Sequence, residues 1–228
     1  MTSRPRSKTQ VQTRDPAATR NRILKAATEE FAKRGLAGAR VDTIAARAKA
    51  NKGMIYHYFE SKDSLFRAVM EKAYYDIRSA ERALELDKME PVAAIVCLVT
   101  FTWNYYLENP GFITLLNSEN LHRAKHIAHS DIIKEMHRPF VALLQSILER
   151  GVHIGVFRDN IDPVQLYLTI AAVSYYYFTN RFTASIIFDR DFTAPDMLKE
   201  RLEFNIETIL SIVRRADAPA SSRVEQAA

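Results

Sequence analysis

The chain has 228 residues, 47% of them hydrophobic and 26% charged, ordinary values for a globular protein long enough for one large domain or two smaller ones. No run of about 18 apolar residues occurs, and the basic opening MTSRPRSKTQVQTR leads into no apolar stretch, so neither a membrane span nor a secretory signal peptide is expected. The charge is lopsided: residues 1–62 hold 14 Lys and Arg against 5 Asp and Glu, whereas residues 63–228 hold 18 against 22.

A basic front on a mildly acidic body points to a polyanion at the front, either nucleic acid or an anionic membrane surface. Cys97, the single cysteine, excludes an internal disulfide and suits a reducing cytoplasm; within AAIVCLV it reads as a small buried core residue. With 6 glycines and 8 prolines, long amphipathic stretches run unbroken, and an all-α fold is expected.

Residues 1–15 read as a flexible basic arm carrying Arg4, Arg6, Lys8 and Arg14. Asp15-Pro16 pairs an N-cap acceptor with proline at the first helical position. It opens a helix over 16–34 whose face is Ile23, Leu24, Ala27 and Phe31 and whose end is marked by Lys33-Arg34-Gly35. Two short helices follow, 42–48 and 52–59, joined by Lys49-Ala50-Asn51. Ile44, Ala45 and Ala48 turn inward on the first; Asn51 caps the second. Together they form a helix-turn-helix unit with the first helix packed behind it.

Ser61 caps the next helix, 62–86, with Leu65, Phe66, Val69, Met70 and Ala73 on its apolar face. Helices over 90–108, 110–117, 129–151, 162–187 and 194–215 complete the chain. Pro91, Asn109-Pro110-Gly111, Gly151 to Gly155, Asp162-Pro163 and Pro195 mark the breaks between them. The expected organisation is an N-terminal three-helix helix-turn-helix domain at 16–61, a larger helical domain at 62–215 and a disordered tail at 216–228.

In a helix-turn-helix the second helix enters the major groove by its N-terminal residues. The stretch NKGMIYHYFESK fits that task by being one-sided. Lys52 offers a long donor and Gly53 a close backbone approach; Tyr56 and His57, a turn later, can reach phosphate oxygens. Ile55 and Phe59 point the other way into the small core, and Lys62 starts the next helix within reach of a phosphate. Tyr56 is expected to contact DNA, while Tyr58 reads equally as contact or packing.

The run VDTIAARAKANKGMIYHYFESKDSLFRAVM, preceded by the helix TRNRILKAATEEFAKRG, resembles the DNA-binding domain of TetR/AcrR transcriptional regulators from Thr19 to about Met70. Its Ile-Ala, Ala-x-x-x-x-x-Gly, Tyr-x-x-Phe and Ser-Lys-x-x-Leu elements keep the family's relative spacing. The turn departs from the pattern: Lys49 stands where the family usually has glycine, Ala50 where it often has valine, and Asn51 replaces a frequent serine cap. A lysine there carries modest backbone strain. The resemblance implies base-edge or groove contacts from Lys52, Gly53 and Met54, and phosphate contacts from Arg40, Thr43, Asn51, Tyr56, His57 and Lys62. By charge alone the arm adds phosphate or minor-groove contacts. The membrane-surface reading falls away, because it needs a long amphipathic helix with bulky apolar residues opposite its basic face.

A single small module grips a half-site weakly, so a homodimer on a palindromic stretch of double-stranded DNA is expected. Candidate dimer faces are Tyr167, Ile170, Ala171, Ser174 and Phe178 on the helix at 162–187, and Leu202, Ile206, Ile209 and Val213 on the last helix. The resemblance agrees in placing the interface on the last two long helices. It also implies a pocket in the helical body for a small-molecule effector that releases the operator. FTWNYYLENPGF and SYYYFTNRF are rich in aromatics; Trp103, Tyr106, Phe112, Asn120, Tyr176 and Asn180 are the candidate pocket residues. In NLHRAKHIAHSD, His122, His126 and His129 would share a face if the stretch were helical. That keeps a metal as an alternative to a polar linker. No nucleophile motif, phosphate loop or carboxylate pair is present. The chain therefore reads as no enzyme, needs no cofactor, and is expected to be a cytoplasmic, ligand-responsive regulator. A repressor is favoured over an activator of the same fold or a nonspecific DNA-binding protein without a ligand.

Overall fold

A computed structural model of the protein describes residues 15–215; the expected arm (but for Asp15) and tail lie outside this range. Within it nine α-helices follow one another: α1 (Pro16–Gly38), α2 (Val41–Arg47), α3 (Lys52–Phe59), α4 (Lys62–Arg82), α5 (Pro91–Glu108), α6 (Pro110–Leu121), α7 (Asp131–His153), α8 (Pro163–Ile187) and α9 (Pro195–Val213). Many starts have a local cause. Asp15 accepts a hydrogen bond from the Ala17 N–H at 2.9 Å, Asn51 from Met54 at 2.8 Å and Ser61 from Ser64 at 3.0 Å. Proline opens α1, α5, α6, α8 and α9, where its missing N–H would have no helical partner anyway.

The structure moves several expected boundaries. Helix α1 does break at Gly35, whose φ of 63° leaves the helical region, but one more turn follows to Gly38. Helix α4 ends at Arg82 rather than 86: Glu85 takes a left-handed φ of 53° and Leu86–Lys88 form a separate 3-10 turn. Arg150 of α7 holds that turn by donating to the carbonyls of Met89 (2.9 Å) and Leu86 (3.3 Å). Helix α6 runs to Leu121 rather than 117, since Ser118-Glu119-Asn120, though polar, breaks nothing. Helix α7 is shifted from 129–151 to Asp131–His153 and contains Pro139. Cys97 is only partly buried.

Two apolar clusters organise the fold. One joins Ile23, Phe31, Ile44 and Ile55 of the first three helices to Phe66 and Met70 of α4, Trp103 of α5, Phe112 of α6 and Phe178 of α8. The other gathers α5, α7, α8 and α9 around Leu98, Leu144, Phe157, Ile170 and Ile209. Helix α6 lies along α1, and the crossing is close: a Cβ on Gly111 would stand 2.8 Å from that of Ala32. Leu36, just past the Gly35 break, donates its N–H to Ser118 Oγ at 2.9 Å. The helix-turn-helix is thus seated on the body.

The candidate dimer faces are corrected here. Ile170, Ser174, Ile209 and Val213 are wholly enclosed and Phe178 nearly so, packed within this chain. Tyr167, Leu202 and Ile206 pack against the same clusters, and Ala171 is partly covered. The large apolar side chains left uncovered on these helices are others: Val164, Leu168, Tyr176, Phe182, Ile186, Ile187 and Phe204, with Phe188 beyond α8. Apolar periodicity names the face that packs, and here the packing partner is α5.

Candidate nucleic-acid interface and cavities

Helix α3 presents two distinct sides. Ile55 and Phe59 are buried, whereas Asn51, Lys52, Gly53, Tyr56 and His57 are exposed, Tyr56 to 45%. Met54 and Tyr58 are partly buried against the small core, so packing accounts for part of both. Arg40 is exposed at the N-cap of α2; Thr43 and Lys62 are half-buried. The nine candidate residues thus fall on one contiguous segment, α2 to the start of α4, with α3 at its centre.

The turn between α2 and α3 is tight: Ala50 donates to the Ala45 carbonyl at 3.0 Å and Lys49 to that of Ala46 at 3.2 Å. Lys49 has φ 51°, the left-handed conformation that glycine adopts without strain. Its side chain stays exposed. Lys52 is not a free donor, since its Nζ lies 2.7 Å from Asp42 Oδ1 across the turn. Both partners are more than half exposed, so the pair is weak enough to yield to a phosphate or a base edge.

Sequence reasoning missed the residue that ties α1 to this unit. Glu30, 1% exposed, accepts from the Arg40 N–H at 3.3 Å and lies 3.3 Å from Arg34 Nε and 4.0 Å from Arg47 Nη1. The signal was available: Glu30 lies beside Phe31 and four residues after Ala26, on the buried side of α1, where an acid must find partners. Asp63, in the first turn of α4, makes a different tie, to the segment that follows α6. Lys125 donates to it at 2.9 Å, and that bond chiefly holds its carboxyl below the usual range.

The candidate pocket residues separate. Trp103 packs in the core on Tyr177 and Phe178 at ring distances of 5.2 and 4.5 Å, and Phe112 stacks with Tyr106 at 6.0 Å. All three candidates are buried and border no described cavity. Asn120 is exposed and donates back to the Leu116 carbonyl at 2.9 Å. Tyr176 and Asn180 do meet at a cavity, a groove of about 350 Å³ between α8 and α9 with Arg181, Phe188 and Arg201. A second hollow, of about 310 Å³, lies between α4 and α7 and includes Arg78, Glu81 and Phe140; none of the six candidates borders it.

The three histidines do not share a helical face. His122 caps α6, His126 lies in the turn beyond it, and His129 ends a short 3-10 segment. His126 is buried with Nδ1 2.6 Å from Glu119 Oε2, and Glu119 also accepts from the N–H groups of His126 and Ile127 at 2.8 and 3.0 Å. This is a structural knot packed on Phe66 of α4. No group of three or more metal-ligating side chains occurs among the described residues.

Comparison with known proteins matches this geometry to a family. The profile for bacterial regulatory proteins of the tetR family fits residues 23–69, and that for the tetracyclin repressor-like C-terminal domain fits residues 91–209. The transcriptional repressor NicS of Pseudomonas putida is 38% identical over 208 residues, covering 91% of this chain and 98% of the relative. The repressor SCO4008 of Streptomyces coelicolor is 36% identical over 140 residues, covering 61% of this chain and 69% of the relative. A bacterial regulatory protein in the tetR family from Rhodococcus RHA1 shares the fold, with a TM-score of 0.66 at 22% identity over 87% of this chain and 98% of that one.

Proposed function

The chain belongs to the TetR family of bacterial transcriptional regulators, and from that premise we propose that it is a dimeric repressor that leaves a palindromic operator when a small molecule binds its helical body. Members of this family regulate transcription and are not enzymes. The observation that carries the reading is the outer side of α3. Lys52, Gly53, Tyr56 and His57 stand exposed opposite a buried Ile55 and Phe59, at the place where a recognition helix meets base edges and phosphates. Arg40, Asn51 and Lys62 flank it as phosphate donors, with Thr43 beside them.

Dimerisation rests on the uncovered apolar row of α8 and α9. Phe182 is 65% and Ile186 84% exposed, and a patch of such side chains is the mark of a protein–protein contact. A second copy covers them, and the groove at Tyr176 and Asn180 belongs to that seam. Two copies then set their α3 helices about one DNA turn apart. The effector acts by binding the DNA-free arrangement more tightly than the operator-bound one.

The test is fluorescence anisotropy of the full chain on DNA from upstream of its own gene, at fixed salt, against scrambled DNA. Tight, sequence-dependent binding is expected. It should fall at least about tenfold, or about 1.4 kcal/mol, in Tyr56→Ala combined with Lys62→Ala, with the melting temperature unchanged. A selection from random DNA that enriches no sequence would overturn the reading.

A further inference from the structure

Arg78 stands out among the polar groups of the body. Its side chain is 3% exposed, and neither Nε nor Nη1 has a hydrogen-bond partner. Nη1 lies 2.9 Å from Glu81 Oε2, a contact of charge without hydrogen-bond alignment. The guanidinium is stacked on Phe140 at 4.4 Å and faces Tyr167 at 5.4 Å. A buried guanidinium with unused N–H groups is costly, and such a group commonly has a role beyond folding.

Arg78 itself lines the hollow between α4 and α7. That hollow is about 310 Å³, and its apolar lining includes Ile132, Met136, Phe140 and Leu143. Its size is at the low end for small-molecule sites. Its walls are mostly apolar; Arg78 is its one buried cation, while Arg82 and Glu135, which also line it, are exposed. A planar guanidinium matches a carboxylate, whose two oxygens take two parallel N–H bonds.

Glu81 does not close the site. Burial pushes its carboxyl up to about 7, against the opposing pull of Arg78. Near neutral pH Glu81 is therefore only partly ionised and leaves the guanidinium incompletely neutralised. An incoming carboxylate supplies the missing anion and the missing acceptors together.

From this geometry we propose that the α4–α7 hollow binds a small organic acid, a single apolar ring bearing one carboxylate, with the carboxylate on Arg78 and the ring against Phe140 and Met136. Calling that acid the effector rests on the repressor reading above; the binding site itself does not.

Isothermal titration calorimetry of the full chain without DNA tests the site. The probes are benzoate, phenylacetate and 4-hydroxybenzoate, with benzamide as the neutral counterpart, in a buffer free of carboxylate and phosphate. At least one acid is expected to bind, with benzamide at least about tenfold weaker. Arg78→Gln, checked by its melting curve, should abolish that preference. Glu81→Gln, which keeps the guanidinium and removes its competitor, should bind the acid several-fold more tightly; it carries the test where Arg78→Gln fails to fold. The proposal is overturned by no heat from any acid up to about 1 mM, by equal binding of benzoate and benzamide, or by indifference of both variants. Adding the acid to the operator complex separates the two readings. Binding without release leaves the site and removes the effector role, while failure to bind any DNA removes the repressor reading and leaves the site.

Discussion

Glu30 occupies a position on α1 where the helical period calls for an apolar residue, and it is kept there by Arg34, Arg47 and the Arg40 N–H. Glu30→Gln keeps the shape but removes the charge from these contacts. A loss of roughly 1.5–3 kcal/mol follows from typical charge-assisted bonds, or several degrees of melting temperature for a chain of this length. Operator binding should weaken too, because α2 is held to α1 through this carboxylate. Glu81 makes a prediction of opposite character. Burial raises its carboxyl from 4.5 to about 7, with Arg78 opposing, and Tyr106 and Tyr167 also feel its charge. The folded chain therefore holds this proton where the unfolded chain has released it. That contribution to stability is full below about 4.5 and is lost as pH rises through about 7. Melting curves from pH 5 to 8 should show Glu81→Gln gaining on the wild type as pH increases; a constant difference would refute the assignment.

At the scale of elements, a capping side chain or an opening proline marks most of the starts, while several ends are set by other parts of the chain. Asp15, Asn51, Ser61 and Asp162 each accept a backbone N–H of the first turn, and a short polar side chain before an apolar run announces this in the sequence. The end of α4 is different, because its following turn is bound by Arg150 from 61 to 64 residues away. The end of α7 depends on Gly151. In the sequence it looks like a break, yet it lies inside the helix because Phe157 folds back over it. A Cβ on Gly151 would stand 2.0 Å from a Phe157 ring carbon. Gly151→Ala should therefore destabilise by about 1–3 kcal/mol despite alanine's better helix propensity. Thermal unfolding measures this directly, and adding Phe157→Leu should recover part of the loss.

At the scale of the molecule, the helix-turn-helix and the body are continuous through one apolar cluster that reaches from Ile23 to Phe178. The close α1–α6 crossing and the Leu36–Ser118 bond mean that a shift of α6 must be felt by α1. The exposed row on α8 and α9 predicts the assembly. Phe182→Asp with Ile186→Asp should reduce the solution mass from twice 26.1 kDa to 26.1 kDa in light scattering. Both side chains are uncovered within the chain, so the fold should survive with its helical content intact. Operator affinity should fall with the loss of the second half-site contact. A variant that stays dimeric would place the seam elsewhere.

The sequence by itself determined the helical class, the helix-turn-helix with its turn and caps, the basic front and the side of α3 that faces outward. These follow from local rules: periodicity, capping chemistry and charge are carried by residues near one another in the chain. Lys49 is a different case, since the strain of its left-handed backbone was legible only through the family resemblance, which puts glycine at that place in the turn. Only the tertiary structure decided which apolar faces of α8 and α9 are spent on α5 and which remain uncovered. It alone closed Trp103, Tyr106 and Phe112 into the core, knotted His126 to Glu119, and set Arg78 with unused donors beside a hollow. An apolar stripe states that a side chain will be covered and not by what, and a buried charge declares itself only once the surrounding helices have packed.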